Sequence, residues 1–210
     1  MAMSPHLTLS PTPTLTFHGP QSTSLLSTSS ATISLVSPNP NQPATPLFHV
    51  KTSKHSKPNV TITRLSGPPN APPLATATFH TLTSSIDISF GGSSNNPGQA
   101  LPPLKLSQDW TSVSLGARTF HYAPRGLDLK WRARDALDGH ELRDSQKRVL
   151  ARYKSCSGGD LLGTGPPVLE VFVVGADEAL VDMVVVTAVS VVRAEEREVK
   201  KVMKILGDLG

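Results

Sequence analysis

Short segments in which apolar and polar residues alternate follow one another from residue 46 to about residue 173. Residues 127–134 show this best, because apolar residues there alternate with charged ones. Successive side chains of a strand point to opposite faces, so a period of two predicts strands with one buried face. The predicted strands are 47–50, 60–65, 74–81, 85–90, 110–115, 118–122, 127–134, 147–153 and 169–173. Their spacing of roughly ten residues favours an antiparallel sandwich or barrel.

The C-terminal part of the chain has a different pattern. Residues 179–192 are apolar except for Asp182, Thr187 and Ser190. This run is longer than a typical strand and has no period of two, so it predicts a helix. After residue 192 apolar residues recur every three or four positions among charged ones, which is an amphipathic helical pattern. The predicted core helix covers residues 177–206.

A helix that is apolar on every side has to be surrounded by protein or lipid. The apolar run would span about 21 Å as a helix, less than the roughly 30 Å hydrocarbon core of a membrane. We therefore predict a mainly β, α+β fold: a closed antiparallel β-barrel around a central apolar C-terminal helix. The alternative is a membrane-inserted protein, in which a longer span would bury Asp177, Glu178 or Arg193 at a cost.

The first 45 residues are rich in Ser, Thr and Pro and contain no charged residue. Such a segment buries too little apolar area to offset its ordering entropy, so we predict a disordered tail over 1–45 and a barrel domain over 46–210. Residues 32–36 are the one part of the tail with the pattern of a strand. Ser37 and Thr45, each followed by proline, are candidate phosphorylation sites.

The charges argue against nucleic acid as the partner. The net charge is +4, but the whole excess lies between Lys51 and Arg64, and the chain after that stretch is balanced. A nucleic-acid-binding domain concentrates cations and aromatic residues on one folded face. The single cysteine excludes an internal disulfide framework and a multi-cysteine metal site. No nucleotide, hydrolase or metalloprotease motif is present, so we predict neither an enzyme nor a cofactor.

A series of short strands that ends in one apolar helix resembles the tubby-like superfamily. This group includes tubby C-terminal domains, LURP-one-related proteins and phospholipid scramblases. The resemblance is carried by residues 129–132, the Asp138-Gly139 turn, the strands at 148–153 and 169–171, and the helix at 179–192, and it is strongest to an uncharacterised fungal branch. It implies a barrel of about twelve strands around a central helix. Because tubby proteins bind phosphoinositides and scramblases associate with membranes, it also implies lipid recognition.

Six cations would share the outer face of the sheet if the strands at 127–134 and 147–154 pair. They are Lys130, Arg132, Arg134, Arg148, Arg152 and Lys154. Each cation close to an anionic membrane contributes about 1 kcal/mol, enough together for weak, reversible docking. The alternative is a solvated face that is neutralised by Asp128, Asp135, Glu141 and Asp144.

These observations predict a monomeric, non-enzymatic tubby-like binding module that recognises anionic lipid headgroups, such as phosphoinositides. We expect it in the cytoplasm and peripheral at a membrane. Two alternatives remain at this point: a soluble protein-interaction scaffold, which would bind its partner regardless of salt, and a membrane-inserted scramblase-like protein.

Overall fold

The computed structural model describes residues 14–18, 30–36, 41–53, 56–67, 71–91, 102–109, 117–134, 139–155, 166–172 and 177–207. These residues form twelve β-strands, a short 3-10 turn at Ala123–Arg125 and one long helix. The strands are β1 (Thr14–His18), β2 (Ser30–Val36), β3 (Thr45–Thr52), β4 (Val60–Arg64), β5 (Ala75–Phe79), β6 (Ile86–Phe90), β7 (Leu104–Gln108), β8 (Arg118–Tyr122), β9 (Leu127–Ala133), β10 (His140–Asp144), β11 (Val149–Lys154) and β12 (Val168–Val171). The helix is α1 (Glu178–Gly207).

The strands form a closed antiparallel barrel in which each strand pairs with its neighbours in sequence. The barrel closes between β1 and β12, where Leu15 lies opposite Leu169. Each strand therefore has a partner on both sides, and neither terminal strand remains as an exposed edge. The predicted fold class, a closed barrel around an apolar C-terminal helix, is confirmed.

The inward side chains of the strands and the buried part of α1 form a single core. β6 shows how the strands build this core, because its residues are alternately buried and exposed along the strand. Residues 182–194 of α1 are buried on every side, and the hydroxyl groups of Thr187 and Ser190 among them have hydrogen-bond partners. Trp131 Nε1 donates to Thr187 Oγ1 at 3.0 Å, and Ser190 Oγ donates to the Val186 carbonyl at 2.7 Å. The helix thus fills the barrel without leaving these hydroxyls unsatisfied.

The predicted domain boundary at residue 46 is wrong, because β1 and β2 belong to the barrel. Leu15, Ala31 and Ile33 lie in the core, and the threonines and serines that alternate with them suit the outer face of a strand. The strand predicted at 32–36 is the centre of β2. The rest of the predicted tail, at residues 1–13, 19–29 and 37–40, lies outside the described residues.

Three strands were not predicted. β1 falls in the predicted tail, residues 104–108 of β7 received no assignment, and β10 lies in a segment interpreted as turn and surface charge. The strand predicted at 110–115 lies outside the described residues. Four of the five residues of β10 are charged or histidine, so no apolar alternation marks it. The direct pairing of the strands at 127–134 and 147–154, on which the row of six cations depended, does not occur, since β10 lies between β9 and β11.

Ion pairs surround α1 at both ends of the barrel. At the end where α1 begins, here called the entry end, Arg64 pairs with Glu178 and Asp182. At the opposite end, here called the exit end, the helix residues Glu195 and Glu198 pair with His140 at 2.7 Å and with Arg118 at 2.9 Å. These pairs give each charged group near the apolar core an opposite charge, which limits the cost of burying it.

Candidate functional site

The outer face of β9, β10 and β11 carries alternating charges instead of the predicted row of cations. Arg132 of β9 lies opposite Glu141 of β10, and Glu141 lies opposite Arg152 of β11. The row continues to Glu170 of β12, the neighbour of Arg152. Directly opposite residues are near enough to interact across a sheet, so β10 brings a carboxylate between the two predicted cationic strands.

Glu141 is the centre of this arrangement. Its side chain is only 3% exposed, and it forms ion pairs with Arg134 at 3.3 Å, Arg143 at 2.6 Å and Arg152 at 3.1 Å. Burial alone would raise the pKa of Glu141, but the hydrogen bonds from Arg143 and Arg152 outweigh it and the pKa is lowered. The sequence placed Glu141 among the neutralising residues, but gave no sign that it would be buried beneath three guanidinium groups.

The other predicted cations also have carboxylate partners. Lys130 pairs with Asp109 at 2.7 Å, Arg148 with Asp144 at 2.6 Å and Lys154 with Glu170 at 2.8 Å. Arg132 is the exception, since it forms no ion pair within the described part of the chain. The six predicted residues therefore lie on one face, and five of them are engaged in ion pairs there.

The predicted neutralising carboxylates divide into three groups. Glu141 and Asp144 do pair with cations of this face. Asp128 pairs with His121 at 2.8 Å instead, and Asp135 lies outside the described residues. The alternative of a neutralised face therefore describes most of this surface well.

A second set of cations lies at the exit end of the barrel. The contact between His140 and Glu195 places the start of β10 there, together with its register partners Ala133 and Tyr153. Arg134 and Lys154, which follow those two residues, are therefore at the exit end. Because β4 ends at Arg64 beside Glu178, the antiparallel β3 ends at the opposite, exit end. The exposed Lys51 and Lys57 lie on or after this end of β3.

Exposed apolar side chains gather at the same end. The three most exposed large hydrophobic residues in the described ranges are Leu82 at 99%, Met203 at 65% and Val199 at 59%. Leu82 lies in the turn after β5, whose last residue, Phe79, stacks under the Arg197 guanidinium of α1 at 5.2 Å. Val199 and Met203 are one turn apart on α1, beyond its buried part, so they project from one side of the helix.

Lysines accompany these apolar residues on α1. Lys200 and Lys201 are both exposed. The spacing of Val199 and Met203 is visible in the sequence as an amphipathic pattern, but the sequence does not show that the barrel ends before them. Leu82 stands alone among Ser and Thr residues and carries no sequence signal.

A small, open recess lies beside the helix at the exit end. It is bounded by the β5–β6 turn, the start of β8 and residues 194–201 of α1. Its charged lining consists of Arg118, Arg197, Glu198 and Lys201, with His80 at its edge. No sequence pattern marks these as binding residues, because they come from three separate segments of the chain.

A family model described as "Family of unknown function (DUF6593)" matches residues 16–197, which is most of the chain. The matched range begins in β1, in agreement with a barrel that includes the first two strands. No curated protein and no solved structure matches the chain. Within the described residues, no helix has both the length and the apolar character needed to cross a membrane.

Proposed function

The chain belongs to the DUF6593 family, and we propose that it is a non-enzymatic module that docks reversibly on anionic membrane surfaces through the exit end of its barrel. The observation that carries this proposal is the gathering of Leu82, Val199 and Met203 at one end, beside exposed lysines. Apolar side chains flanked by lysine are what an interfacial membrane contact requires. A peripheral position at a cytoplasmic membrane face fits this surface, because that leaflet is the anionic one.

The two kinds of side chain contribute by different mechanisms. Complete burial of a large apolar side chain contributes about 1.5–3 kcal/mol, so partial insertion of the three residues gives a few kcal/mol. Each lysine or arginine held near the headgroups adds about 1 kcal/mol. The total is enough for weak docking that salt can reverse, because salt screens the charges and leaves the apolar contribution in place.

The proposal changes the part played by the predicted cations. Arg132, Arg134, Arg152 and Lys154 lie toward the exit end, but the carboxylates of Glu141 and Glu170 pair with the last three, so this wall adds little net charge to the contact. Arg148 follows the β10–β11 turn at the entry end and lies outside the proposed contact. The resemblance to the tubby-like superfamily supports lipid recognition, and we retain that kinship as part of the proposal.

The test is flotation of the full chain with vesicles of phosphatidylcholine alone and of phosphatidylcholine with phosphatidylserine, at low and high salt. We expect flotation only with the anionic vesicles and a decrease at high salt. The double substitution Leu82→Ser with Met203→Ser should reduce flotation at least fivefold. Leu65→Ser is the matched control, since Leu65 is 47% exposed and follows β4 at the entry end.

A charge variant completes the design. Lys57→Glu with Lys200→Glu should abolish flotation, whereas Lys105→Glu, at an exposed lysine on the outer wall of β7, should leave it unchanged. If the unmodified protein does not float with anionic vesicles at low salt, membrane docking is wrong. The exit end would then be a surface for a protein partner, as the scaffold alternative holds.

A further inference from the structure

The recess at the exit end contains two arginines whose hydrogen-bonding capacity is not used up. Arg118 is completely buried, yet its guanidinium is bonded only to the Ser84 carbonyl and to Glu198 Oε1. Its Nε is buried and has no acceptor among the described residues. Arg197 also lines the recess, and its buried Nη1 likewise lacks an acceptor within the described part of the chain.

Buried guanidinium donors without acceptors are costly, since the groups have lost their water. A ligand bound in the recess would supply the missing acceptors. Here the positive charge also exceeds the negative, because Arg118, Arg197 and Lys201 line the recess with Glu198 as the one carboxylate in its described lining. The nearby Asp87 pairs with His80 at 2.7 Å and adds no charge to the lining itself.

We infer that this recess binds the phosphate group of a phosphomonoester. The three cations and the single carboxylate of Glu198 leave a net charge of two positive units in the lining, which matches a dianion. The planar fork of arginine suits phosphate oxygens in particular. The hydroxyl groups of Thr81 and Ser84, which also line the recess, are further donors. The ring of Phe79 holds the Arg197 guanidinium by a cation–π contact at 5.2 Å, which orients it before the ligand arrives.

The position of the recess at the exit end allows two sources of the same group. One is a phosphorylated lipid headgroup, reached when the exit end docks on a membrane. The other is a small phosphate ester in solution. The inference itself concerns the phosphate group and does not depend on membrane docking.

The first experiment measures the melting temperature of the full chain against increasing inorganic phosphate, with sodium chloride at equal ionic strength as the reference. We expect phosphate to stabilise the protein in a saturable way. Arg197→Gln with Lys201→Gln should weaken this binding at least tenfold. Lys105→Gln is the matched control, because Lys105 is an exposed lysine on the outer wall of β7 and does not line the recess.

A variant that is expected to bind phosphate more tightly is also needed, because the Arg197→Gln and Lys201→Gln variant could lose binding simply by misfolding. Glu198→Gln removes the carboxylate that occupies Arg118 Nη2, so phosphate binding should become at least threefold tighter. If phosphate has no effect beyond sodium chloride, or if the Arg197 variant binds as tightly as the unmodified chain, the inference is wrong. A saturable effect that Glu198→Gln weakens would also overturn it.

Vesicles distinguish the two sources. Flotation with phosphatidylinositol 4-phosphate is compared with flotation on phosphatidylserine vesicles of equal charge. A preference for the phosphorylated lipid that Arg197→Gln removes identifies the lipid source, and equal flotation with retained phosphate binding identifies the soluble one. Failure of all flotation with phosphate binding intact would refute the proposed function and leave this inference standing.

Discussion

Replacing Glu141 with glutamine is the most direct test of the charge network on the barrel wall. The substitution keeps the size of the side chain and removes one negative charge. Arg134, Arg143 and Arg152, which all pair with that carboxylate, would then face one another without it. Since Glu141 is 3% exposed, water cannot replace the lost charge.

The magnitude follows from the exposure of the three arginines. Removing one partner of a fully buried ion pair costs about 3–5 kcal/mol. The guanidinium groups here are 27–30% exposed, and glutamine keeps an acceptor oxygen, so part of that loss is offset. We expect the free energy of unfolding to fall by about 2–3 kcal/mol. For a chain of this size the melting temperature should fall by about 5–10 °C.

The assay is thermal and urea denaturation at pH 7, with Glu170→Gln as the control. Glu170 is 25% exposed and its partner Lys154 is 45% exposed, so that pair is worth less than about 1 kcal/mol. A Glu141→Gln variant that melts within 1 °C of the unmodified protein would refute the argument that buried charge holds this face together.

Acid provides a second readout of the same variant. The pKa of Glu141 is lower in the folded protein than its ordinary value of 4.5. Its charge therefore stabilises the fold fully above pH 4.5, and this contribution is lost as the pH falls through the folded-state pKa. The difference in stability between the unmodified chain and Glu141→Gln should shrink below pH 4.5. A difference that stays constant down to pH 3 would show that it arises from something other than the charge.

Three further predictions use the same denaturation measurements. Gly139→Ala should destabilise the protein more than Gly126→Ala. Both glycines have positive φ, but only at Gly139 would a Cβ lie 2.0 Å from the Tyr153 carbonyl oxygen. Equal losses of about 1 kcal/mol in the free energy of unfolding would show that only the backbone conformation matters. Trp131→Phe should cost about 2–3 kcal/mol, since it removes the bond to Thr187 and leaves a gap in the core; a cost below 1 kcal/mol would contradict that packing. Asp182→Asn should cost less than Glu141→Gln, because burial raises the pKa of Asp182 despite Arg64, so its charge stabilises the fold less; a larger cost would reverse this order.

Most of the fold was predictable, because the spacing of apolar residues along the chain identifies α1 and most of the strands. Residues 179–192 are apolar on all sides, which leaves few arrangements other than a surrounding sheet. β10 was not predicted because most of its residues are polar. His140, Glu141 and Asp144 pair with residues of α1, of the neighbouring strands and of the following turn. The amino-acid sequence alone does not show which of these residues lie close together. β1 was missed, and β2 was recognised as a strand only at residues 32–36 and placed outside the barrel. Leu15 and Ile33 stand among threonines and serines, a composition shared by disordered segments and by outer strand faces.

The candidate site was less predictable for a related reason. The sequence correctly places Arg132 and Arg152 on the outer face. It does not show that Glu141 lies between them, where its carboxylate reduces the positive charge of this face. The exit end is assembled from Leu82, Lys57, Lys154 and the last turns of α1, which are far apart along the chain. Only the closure of the barrel and the point at which the helix leaves it bring them to one surface.

The order of the elements along the chain also bears on how the protein is made. All twelve strands precede the helix that fills them, and Thr14 of β1 must meet Glu170 of β12 to close the ring. During synthesis the hairpins emerge first, with their inner faces open to solvent. The core is completed only when α1 has been translated, so folding of the barrel cannot finish before this helix is made. Strands whose apolar faces stay exposed during synthesis favour aggregation. The many short-range contacts within the hairpins reduce this risk, because they form early.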